Sequence, residues 1–416
     1  MHMVTSVQHR DQHRDQHRDL SHASRRATSA VWLAVLLVLS LSASAIVPAI
    51  AAQHSEFTIK AKHAIVMDAA TGAVLFQYNP DEQIPPASMS KLMTIAVVFR
   101  ALKTGQKTLD DEFNMSEHAW RTGGAPSRTS AMMVPLNTRT KISELLRGVI
   151  VENGNDAAIA LGEGLAGSEI AFTRMMEAEA RRIGLVKATF RNSTGLYHPE
   201  HLMSVRELAQ LARYLITEYP EYYSLFAEKN FNYRNHKFVN RNPLLFMNIG
   251  AEGMKTGNTK EAGYGLVGSA SQDNHRLILV LSGLATETER RDESRKILEW
   301  SFHAYGEFKL YEAGEIIGKA RVWGGDKMSV ALIGNGEINA VLPRFPANQK
   351  LRGEIVYNGP LKAPVHKGDQ VAVLKVTSTN DATAEMPLYA AEDVVPAGKL
   401  QRGLGTIYHY ATSWIP

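Results

Sequence analysis

The chain has 416 residues, 44% of them hydrophobic and 21% charged, which is typical of a globular protein with two or three domains. The formal net charge is +4, but the basic residues are spread along the chain and form no blocks, which argues against a nucleic-acid partner. The absence of cysteine excludes disulfides, cysteine nucleophiles and thiolate metal sites.

Residues 1–51 are predicted to be a signal peptide with a polar extension in front of it. Two arginines precede an apolar run from Ala30 to Leu41, and small residues follow as far as Ala51. A repeat that begins at Gln8 lies upstream and has no packing potential. The alternative is a membrane anchor, but the run is shorter than the roughly 20 apolar residues needed to span a bilayer. We therefore expect cleavage near Ala51 and export to the periplasm.

The chain from residue 52 to 308 is predicted to mix strands and helices. Turn residues between Ile59–Met67 and Val74–Tyr78 indicate a β-hairpin. From Lys91 to Leu102 the sequence is apolar nearly all round, which predicts a helix buried in a core. Further helical patterns, separated by glycines, cover Ile142 to Leu165, Glu169 to Ile183, Val205 to Ile216 and Arg290 to about Tyr305.

Strands are predicted in the last part of this region and beyond it. Leu266–Ala270 and Leu277–Leu281 are predicted strands joined by a polar turn. Many short apolar runs follow from Leu310 to Asp393, separated by glycine, proline and asparagine. We predict a separate small β-rich domain at residues 309–395. The predicted fold class is α/β (α+β), an antiparallel sheet flanked by helices and followed by this domain.

The tail, residues 396–416, has the pattern of an amphipathic helix. Its apolar residues, at alternating steps of four and three, are Leu400, Leu404, Ile407, Ala411 and Trp414. One interpretation is a membrane-surface anchor, which would attach the protein to the outer face of the cytoplasmic membrane. The other is a frayed terminus, because the segment is short and contains Gly403 and Gly405.

Ser88 and Lys91 are three positions apart at the predicted start of the buried helix, so their side chains lie on one face. A serine hydroxyl needs a base, and a lysine can serve if burial or neighbouring cations lower its pKa. The helix N-terminus offers backbone N–H groups where an oxyanion would form. The placement fits acyl transfer, although the spacing alone is a weak signal.

The tripeptide Lys-Thr-Gly occurs twice. At Lys103–Gly105 it closes the buried helix, where lysine and glycine are ordinary C-terminal residues. At Lys255–Gly257 it lies at the entry to a predicted strand, where a cation and a hydroxyl could meet a bound carboxylate. The second occurrence is therefore the candidate binding element.

Asn153–Ala157 lies between these elements in chain order. The Asn155 amide can accept a hydrogen bond from a lysine and donate one to a substrate carbonyl. The alternative is a turn stabilised by asparagine and glycine. A similar run at Ser378–Ala382 lies in the predicted β-rich domain, after the other elements, and is not a candidate.

Together these motifs resemble the penicillin-binding D-alanyl-D-alanine carboxypeptidases, serine peptidases of the SxxK acyl-transferase type. The resemblance rests on Pro86–Thr94, Asn153–Ala157 and Gly253–Gly257, with further likeness at Asn192–Leu196 and Ala262–Tyr264. It covers most of the chain after the predicted leader and implies a β-lactamase-like catalytic fold.

The resemblance also implies a mechanism and a set of site residues. Lys91 takes the proton of Ser88, which attacks the carbonyl between two terminal D-alanines of a peptidoglycan stem peptide. D-Alanine leaves, and water hydrolyses the acyl-enzyme; β-lactams acylate the same serine. The residues assigned are Ser88, Lys91, Asn153 and Asn155 for catalysis, and Lys255, Thr256, Gly257, Asn258 and Arg290 for substrate binding.

The expected roles of the binding residues follow the same resemblance. Lys255 and Thr256 hold the terminal carboxylate, and backbone N–H groups of Ser88 and Asn258 form the oxyanion hole. Arg290 resembles a family arginine near that carboxylate, and the alternative is a surface charge on a helix.

One position departs from the family pattern, because Asn153 stands where a serine is usual. That serine hydroxyl passes a proton toward the leaving group, and a carboxamide cannot readily do so. We expect slower acylation, unless Lys91 and Lys255 handle the proton with a water molecule.

Two rival functions remain. A β-lactamase of the same fold is disfavoured because the chain lacks Glu-x-x-Leu-Asn, the deacylating segment of class A enzymes. A non-catalytic binding protein is favoured only by Asn153. No cofactor and no metal are predicted, since the histidines lack a paired ligand spacing such as H-E-x-x-H.

Overall fold

The residues that the computed structural model describes are 57–273, 275–344, 351–378 and 383–398. The predicted signal peptide, and the predicted tail from residue 399 onwards, lie outside them. Within this part of the chain, no helix is both long and apolar enough to cross a membrane.

Eight α-helices are defined in the described residues. They are α1 Lys91–Lys103, α2 Glu117–Gly123, α3 Ile142–Arg147, α4 Asn155–Ala166, α5 Glu169–Arg182, α6 Val205–Glu218, α7 Pro220–Tyr223 and α8 Glu287–Ala304. Serine or threonine side chains cap several N-termini, and Ser204 forms a full capping box with Glu207 at the start of α6.

The strands of the first part are β1 His63–Asp68, β2 Val74–Tyr78, β3 Glu112–Asn114, β4 Arg139–Lys141, β5 Asn230–Tyr233, β6 His236–Val239, β7 Ala251–Thr259, β8 Gly263–Gln272 and β9 His275–Leu284. Those of the second part are β10 Tyr305–Tyr311, β11 Gly318–Trp323, β12 Ser329–Ile333, β13 Ile338–Pro343, β14 Leu351–Val356, β15 Leu361–Lys362, β16 Gln370–Ser378 and β17 Thr383–Ala390.

A five-stranded antiparallel sheet organises the first part, in the order β2-β1-β9-β8-β7. The predicted hairpin is β1–β2, and the predicted strands at 266–270 and 277–281 lie within β8 and β9. Helices α6 and α8 pack against this sheet. Strand β7 forms one edge of the sheet and packs against residues 87–90.

Helix α1 lies in the core, as its sequence predicts. Leu92, Ile95 and Phe99 are fully buried, and the helix ends near Gly105, which adopts a positive φ of 71°. Each Å² of apolar surface that is buried stabilises the fold by about 25 cal/mol, so a helix with this many buried side chains contributes strongly to the core. The first turn of α1 is therefore held firmly in place.

The helical pattern predicted from Ile142 to Leu165 is not continuous in the structure. The structure has α3, a π-helical turn at Gly148–Glu152, and then α4. Asn153 breaks the path with a φ of 68°, a left-handed conformation that asparagine tolerates better than most residues. Gly154 follows because a Cβ there would lie 3.0 Å from the backbone nitrogen of Met132. The break aims the Asn153–Asp156 turn at α1.

The second part is β-rich. Six strands form a sheet in the order β14-β16-β17-β12-β11-β15, and β10 pairs with β13. Buried side chains such as Leu332, Leu374 and Leu388 alternate with less buried ones along these strands. The predicted fold class, a catalytic α/β part followed by a β-rich domain, is confirmed.

Candidate active site

Ser88 lies in a one-turn 3-10 helix, Ala87–Ser90, that runs directly into α1. The hydroxyl of Ser90 points inward and donates to the Ala87 carbonyl at 3.0 Å, which closes the turn. Ser88 itself is only half-buried. The closed turn therefore fixes the position of Ser88, and the Ser88 hydroxyl remains accessible to a substrate.

Lys91 is completely buried and donates three hydrogen bonds. Its Nζ lies 2.9 Å from the Ser88 Oγ, 2.6 Å from the Asn155 Oδ1 and 2.6 Å from the Thr194 carbonyl oxygen. In the ammonium form these hydrogen bonds are charge-assisted, whereas in the neutral form the Nζ has a lone pair that can accept the Ser88 hydroxyl proton. The lysine side chain is thus fixed against the serine from three directions.

The environment of Lys91 favours its neutral form. Burial, with the positive charge of Arg241 second, lowers the pKa of Lys91 to about 7. Burial disfavours any charged amine, and a neighbouring cation adds repulsion. A lysine with this pKa holds a useful fraction of free amine near neutral pH, which is what a general base requires.

The Asn153–Asp156 turn supplies the amide that contacts Lys91. Asn155 is buried; its Oδ1 accepts from Lys91, and its Nδ2 donates to the Thr129 hydroxyl at 2.9 Å. Asn153 faces elsewhere, with its Nδ2 3.5 Å from the Ser130 Oγ. The two asparagines of the predicted motif therefore have different surroundings.

The loop around Thr194 forms another wall of the site. The Asn192 Oδ1 accepts from the backbone N–H groups of Thr194 and Gly195, at 3.1 and 2.7 Å. This tight turn brings Gly195 so close to the serine turn that a Cβ would lie 2.0 Å from the Ala87 carbonyl oxygen. The loop consequently presents the Thr194 carbonyl to Lys91.

Lys255 comes from the edge strand on another side of Ser88. The prediction that its tripeptide lies at the entry to a strand was wrong, since it lies in the middle of β7. Gly257 permits close approach, because a Cβ there would lie 3.1 Å from the Pro86 carbonyl oxygen and from the Met89 nitrogen. Lys255 and Thr256 are both buried. The side chain of Asn258, the next residue, is exposed.

Lys255 belongs to the same electrostatic cluster as Lys91. Burial, with the positive charge of Lys91 second, holds the pKa of Lys255 well below its usual value. Arg241 and Arg290 act in the same direction. A cluster of basic side chains next to an accessible serine is a favourable place for an anionic group of a ligand.

Arg290 is not a surface charge, so the alternative given for it from the sequence was wrong. The residue is 4% exposed, its guanidinium lies 5.5 Å from the centre of the Tyr264 ring, and it pairs with Glu287 at 2.6 Å. Packing of α8 on the sheet draws it inward. Together with burial and the charges of Lys91 and Arg241, its charge lowers the pKa of Lys255.

Sequence reasoning missed several residues of this site. Thr194 was quoted only as part of a similar segment, and Arg241, which pairs with Glu152 at 2.5 Å, carries no motif. Thr129 and Ser130 lie in an unremarkable loop. Each of these two residues contacts an asparagine of the candidate motif that lies more than 20 positions away along the chain, so no sequence pattern could reveal the contacts.

Solved structures share this fold. Penicillin binding protein 5 from Haemophilus influenzae is 36% identical, with a TM-score of 0.72 over 81% of this chain and 98% of that one. Penicillin-Binding Protein D2 from Listeria monocytogenes, in a cefotaxime-bound form, is 27% identical, with a TM-score of 0.54 over 59% and 98%. The fold and the buried lysine beside an accessible serine define the class: a penicillin-binding serine hydrolase.

Sequence relatives define the family. Residues 49–286 match the D-alanyl-D-alanine carboxypeptidase model, and residues 305–396 match the C-terminal domain of penicillin-binding protein 5. D-Alanyl-D-alanine carboxypeptidase DacC of Escherichia coli (strain K12) is 36% identical over 82% of this chain and 86% of its own length. The chain belongs to the D-alanyl-D-alanine carboxypeptidase family and is a serine-type carboxypeptidase.

Proposed function

We propose that Ser88 is the nucleophile and Lys91 its general base in removing the terminal D-alanine from peptidoglycan stem pentapeptides. The observation that carries this proposal is the 2.9 Å contact between the Lys91 Nζ and the Ser88 Oγ, with a lysine pKa of about 7. A base within hydrogen-bond reach and with a pKa near the working pH is what activation of a serine needs.

The reaction has two halves. Lys91 takes the Ser88 proton as the Oγ bonds to the carbonyl carbon between the two D-alanines. The carbon–nitrogen bond then breaks, the leaving D-alanine takes a proton at its nitrogen, and water later releases the shortened peptide from Ser88. The proposed oxyanion donors are the backbone N–H groups of Ser88 and Asn258. β-Lactams acylate Ser88 by the same attack, and their opened ring stays attached.

Asn155 has two proposed tasks. Its Oδ1 fixes Lys91 at 2.6 Å, which orients the base toward Ser88. Its Nδ2 donates one hydrogen to the Thr129 hydroxyl, so its second hydrogen is available for a carbonyl of the bound peptide. A single buried amide thus links the base to the position of the substrate.

The cluster of Lys255, Thr256 and Arg290 is proposed to bind the substrate's terminal carboxylate. A bound carboxylate adds a negative charge that raises the depressed pKa of Lys255, so protonation and substrate binding reinforce each other. Strand β7 is the edge of its sheet, and its open edge can pair with an extended peptide. Such pairing would align the scissile carbonyl with Ser88.

The direct test of this function uses a synthetic stem pentapeptide that ends in D-alanyl-D-alanine. We expect the purified protein to release one D-alanine per peptide and to leave a tetrapeptide, as measured by chromatography and mass spectrometry. An intact peptide, or cleavage at another bond, would contradict the proposal.

Replacing Lys255 with alanine should weaken the reaction of a carboxylate-terminated peptide far more than that of its C-terminal amide. Only the carboxylate makes a charge-assisted hydrogen bond, and loss of one such bond costs roughly 10- to 100-fold in kcat/KM. Steady-state rates on both peptides measure the difference. Lys260→Ala, an exposed lysine just beyond β7, is the matched control. Equal losses on both peptides would remove Lys255 from carboxylate binding.

We further propose that the protein works in the periplasm and that its tail attaches it to the outer face of the cytoplasmic membrane. The supports are the signal-peptide pattern of residues 1–51 and the apolar face of the tail.

Deleting residues 399–416 should move the protein from the membrane fraction to the soluble fraction without loss of peptidase activity. The cut spares Ala397, which is buried and donates from its N–H to the Gly324 carbonyl at 2.9 Å. Fractionation and immunoblotting measure the shift. A full-length variant with Leu404→Asp and Ile407→Asp should behave as the deletion does, since each charge spoils the apolar face. An unchanged distribution in both variants would favour a frayed terminus.

A further inference from the structure

Asn153 leaves the proposed reaction without an evident proton donor for the leaving group. The leaving D-alanine needs a proton on its nitrogen, and Asn153, at the position that the resemblance assigns to this step, has a carboxamide that cannot readily supply one. The Asn153 Oδ1 is buried without a hydrogen-bond partner among the described residues. Asn153 itself can therefore neither pass a proton nor satisfy all of its own polar atoms.

A second hydroxyl lies immediately beside Asn153. The Ser130 Oγ is 3.5 Å from the Asn153 Nδ2. In this contact the amide is the donor and the serine oxygen accepts, so the serine proton remains available to another acceptor. Ser130 is half-buried, and its hydroxyl is not sealed inside the core.

The position of Ser130 is fixed by the catalytic motif itself. Its carbonyl accepts from the Asn155 N–H at 2.8 Å. The buried Asp156 carboxylate then accepts from the backbone N–H groups of Met132 and Val134, at 2.8 and 3.2 Å. Three hydrogen bonds therefore connect the loop of residues 130–134 to the Asn153–Asp156 turn. A hydroxyl held in this way is preorganised for a role in catalysis.

The neighbouring hydroxyl is a weaker candidate. The Thr129 Oγ1 already accepts from the Asn155 Nδ2 at 2.9 Å and lies 2.7 Å from the Ser127 Oγ. Thr129 therefore serves to hold the asparagine that orients Lys91. Ser130 is the hydroxyl of this loop that contacts Asn153.

We propose that Ser130 is a catalytic residue that delivers the proton to the leaving D-alanine, in place of the hydroxyl absent at residue 153. Its Oγ–H gives a proton to the departing nitrogen and takes up the proton that Lys91 removed from Ser88. The net change moves one proton from Ser88 to D-alanine and returns Lys91 to its neutral form for deacylation. The inference rests on the proposed roles of Ser88 and Lys91.

The test compares an amide with an ester. An amide nitrogen needs protonation in order to leave, whereas the alkoxide of a D-alanyl-D-lactate peptide leaves more readily without it. Ser130→Ala should reduce kcat/KM on the D-alanyl-D-alanine peptide by about 10- to 100-fold and on the ester by less than about threefold. Asn153→Ser should restore at least about tenfold on the amide in the Ser130→Ala background.

Ser127→Ala is the matched control, because this hydroxyl also belongs to the loop and bonds the Gly124 carbonyl at 2.7 Å. Any loss that comes from loosening the loop should be equal on the amide and the ester. The proposal is overturned if Ser130→Ala loses less than about threefold on the amide, or loses equally on both substrates. Penicillin labelling of the wild-type protein separates a failure of this proposal from a failure of the proposed function. If the wild type is not labelled, the roles of Ser88 and Lys91 are refuted. If it is labelled normally and Ser130→Ala leaves the rate on the amide unchanged, the role of Ser130 alone is refuted.

Discussion

Ser88→Ala protein should form no covalent adduct with penicillin and should release no measurable D-alanine from a stem pentapeptide. The acyl-enzyme cannot form without the Oγ, and loss of a nucleophile of this kind removes the covalent path entirely. Because a half-buried hydroxyl at the start of a packed helix contributes little to the core, the fold should survive. Labelling with a fluorescent penicillin and a thermal melt measure the two effects.

Ser90→Ala is the control for this prediction. Its hydroxyl belongs to the same turn but points inward, to the Ala87 carbonyl. We expect stoichiometric penicillin labelling of this variant. Persistent labelling of the Ser88→Ala protein would remove Ser88 from its proposed role.

Lys91→Met should slow acylation by about 10²- to 10⁴-fold while it keeps the length and much of the packing of the side chain. In the wild type, Lys91 acts as a base only when it is neutral. Its pKa of about 7 therefore predicts that the acylation rate rises with pH through about 7 and then levels off. The variant should lose this rise, since the amine that acts as the base is gone.

Acylation rates between about pH 5 and about pH 9 measure both effects in one experiment. Lys103→Met, which changes the lysine at the far end of α1, should keep the wild-type rate and profile, because Lys103 contacts the Glu218 carbonyl, far along the helix from Ser88. A Lys91→Met protein that retains the wild-type pH profile would show that another group is the base.

Local chemistry made much of the fold predictable. Helix α1 is apolar nearly all round, and the hairpin β1–β2 brackets a turn-forming sequence, so both follow from pattern alone. The break between α3 and α4 was predicted only as an alternative, a turn at Asn153–Ala157, because the pattern of apolar residues continues through it. What interrupts the helix is tertiary: the left-handed Asn153 and the packing of Gly154 against Met132.

The residues of the site likewise fall into those that sequence spacing could predict and those that only the folded chain brings together. Ser88 and Lys91 are close because one helical turn brings them together, and sequence spacing reveals this. Asn155 and Thr194 reach Lys91 from 64 and 103 positions away, which only the folded chain can show. Resemblance to a family supplied the asparagine motif, but it gave no hint of Ser130. Residue charge alone also left the burial of Arg290 undecided, since α8 is rich in charged residues throughout.

The central claim is that the protein works through an acyl-enzyme on Ser88. The most direct measurement is mass spectrometry of the wild-type protein after brief incubation with a penicillin, followed by proteolysis and mapping of the modified peptide. The account predicts one adduct per chain, on the peptide that contains Ser88 and on that residue. No adduct, or an adduct on a different residue, would contradict it.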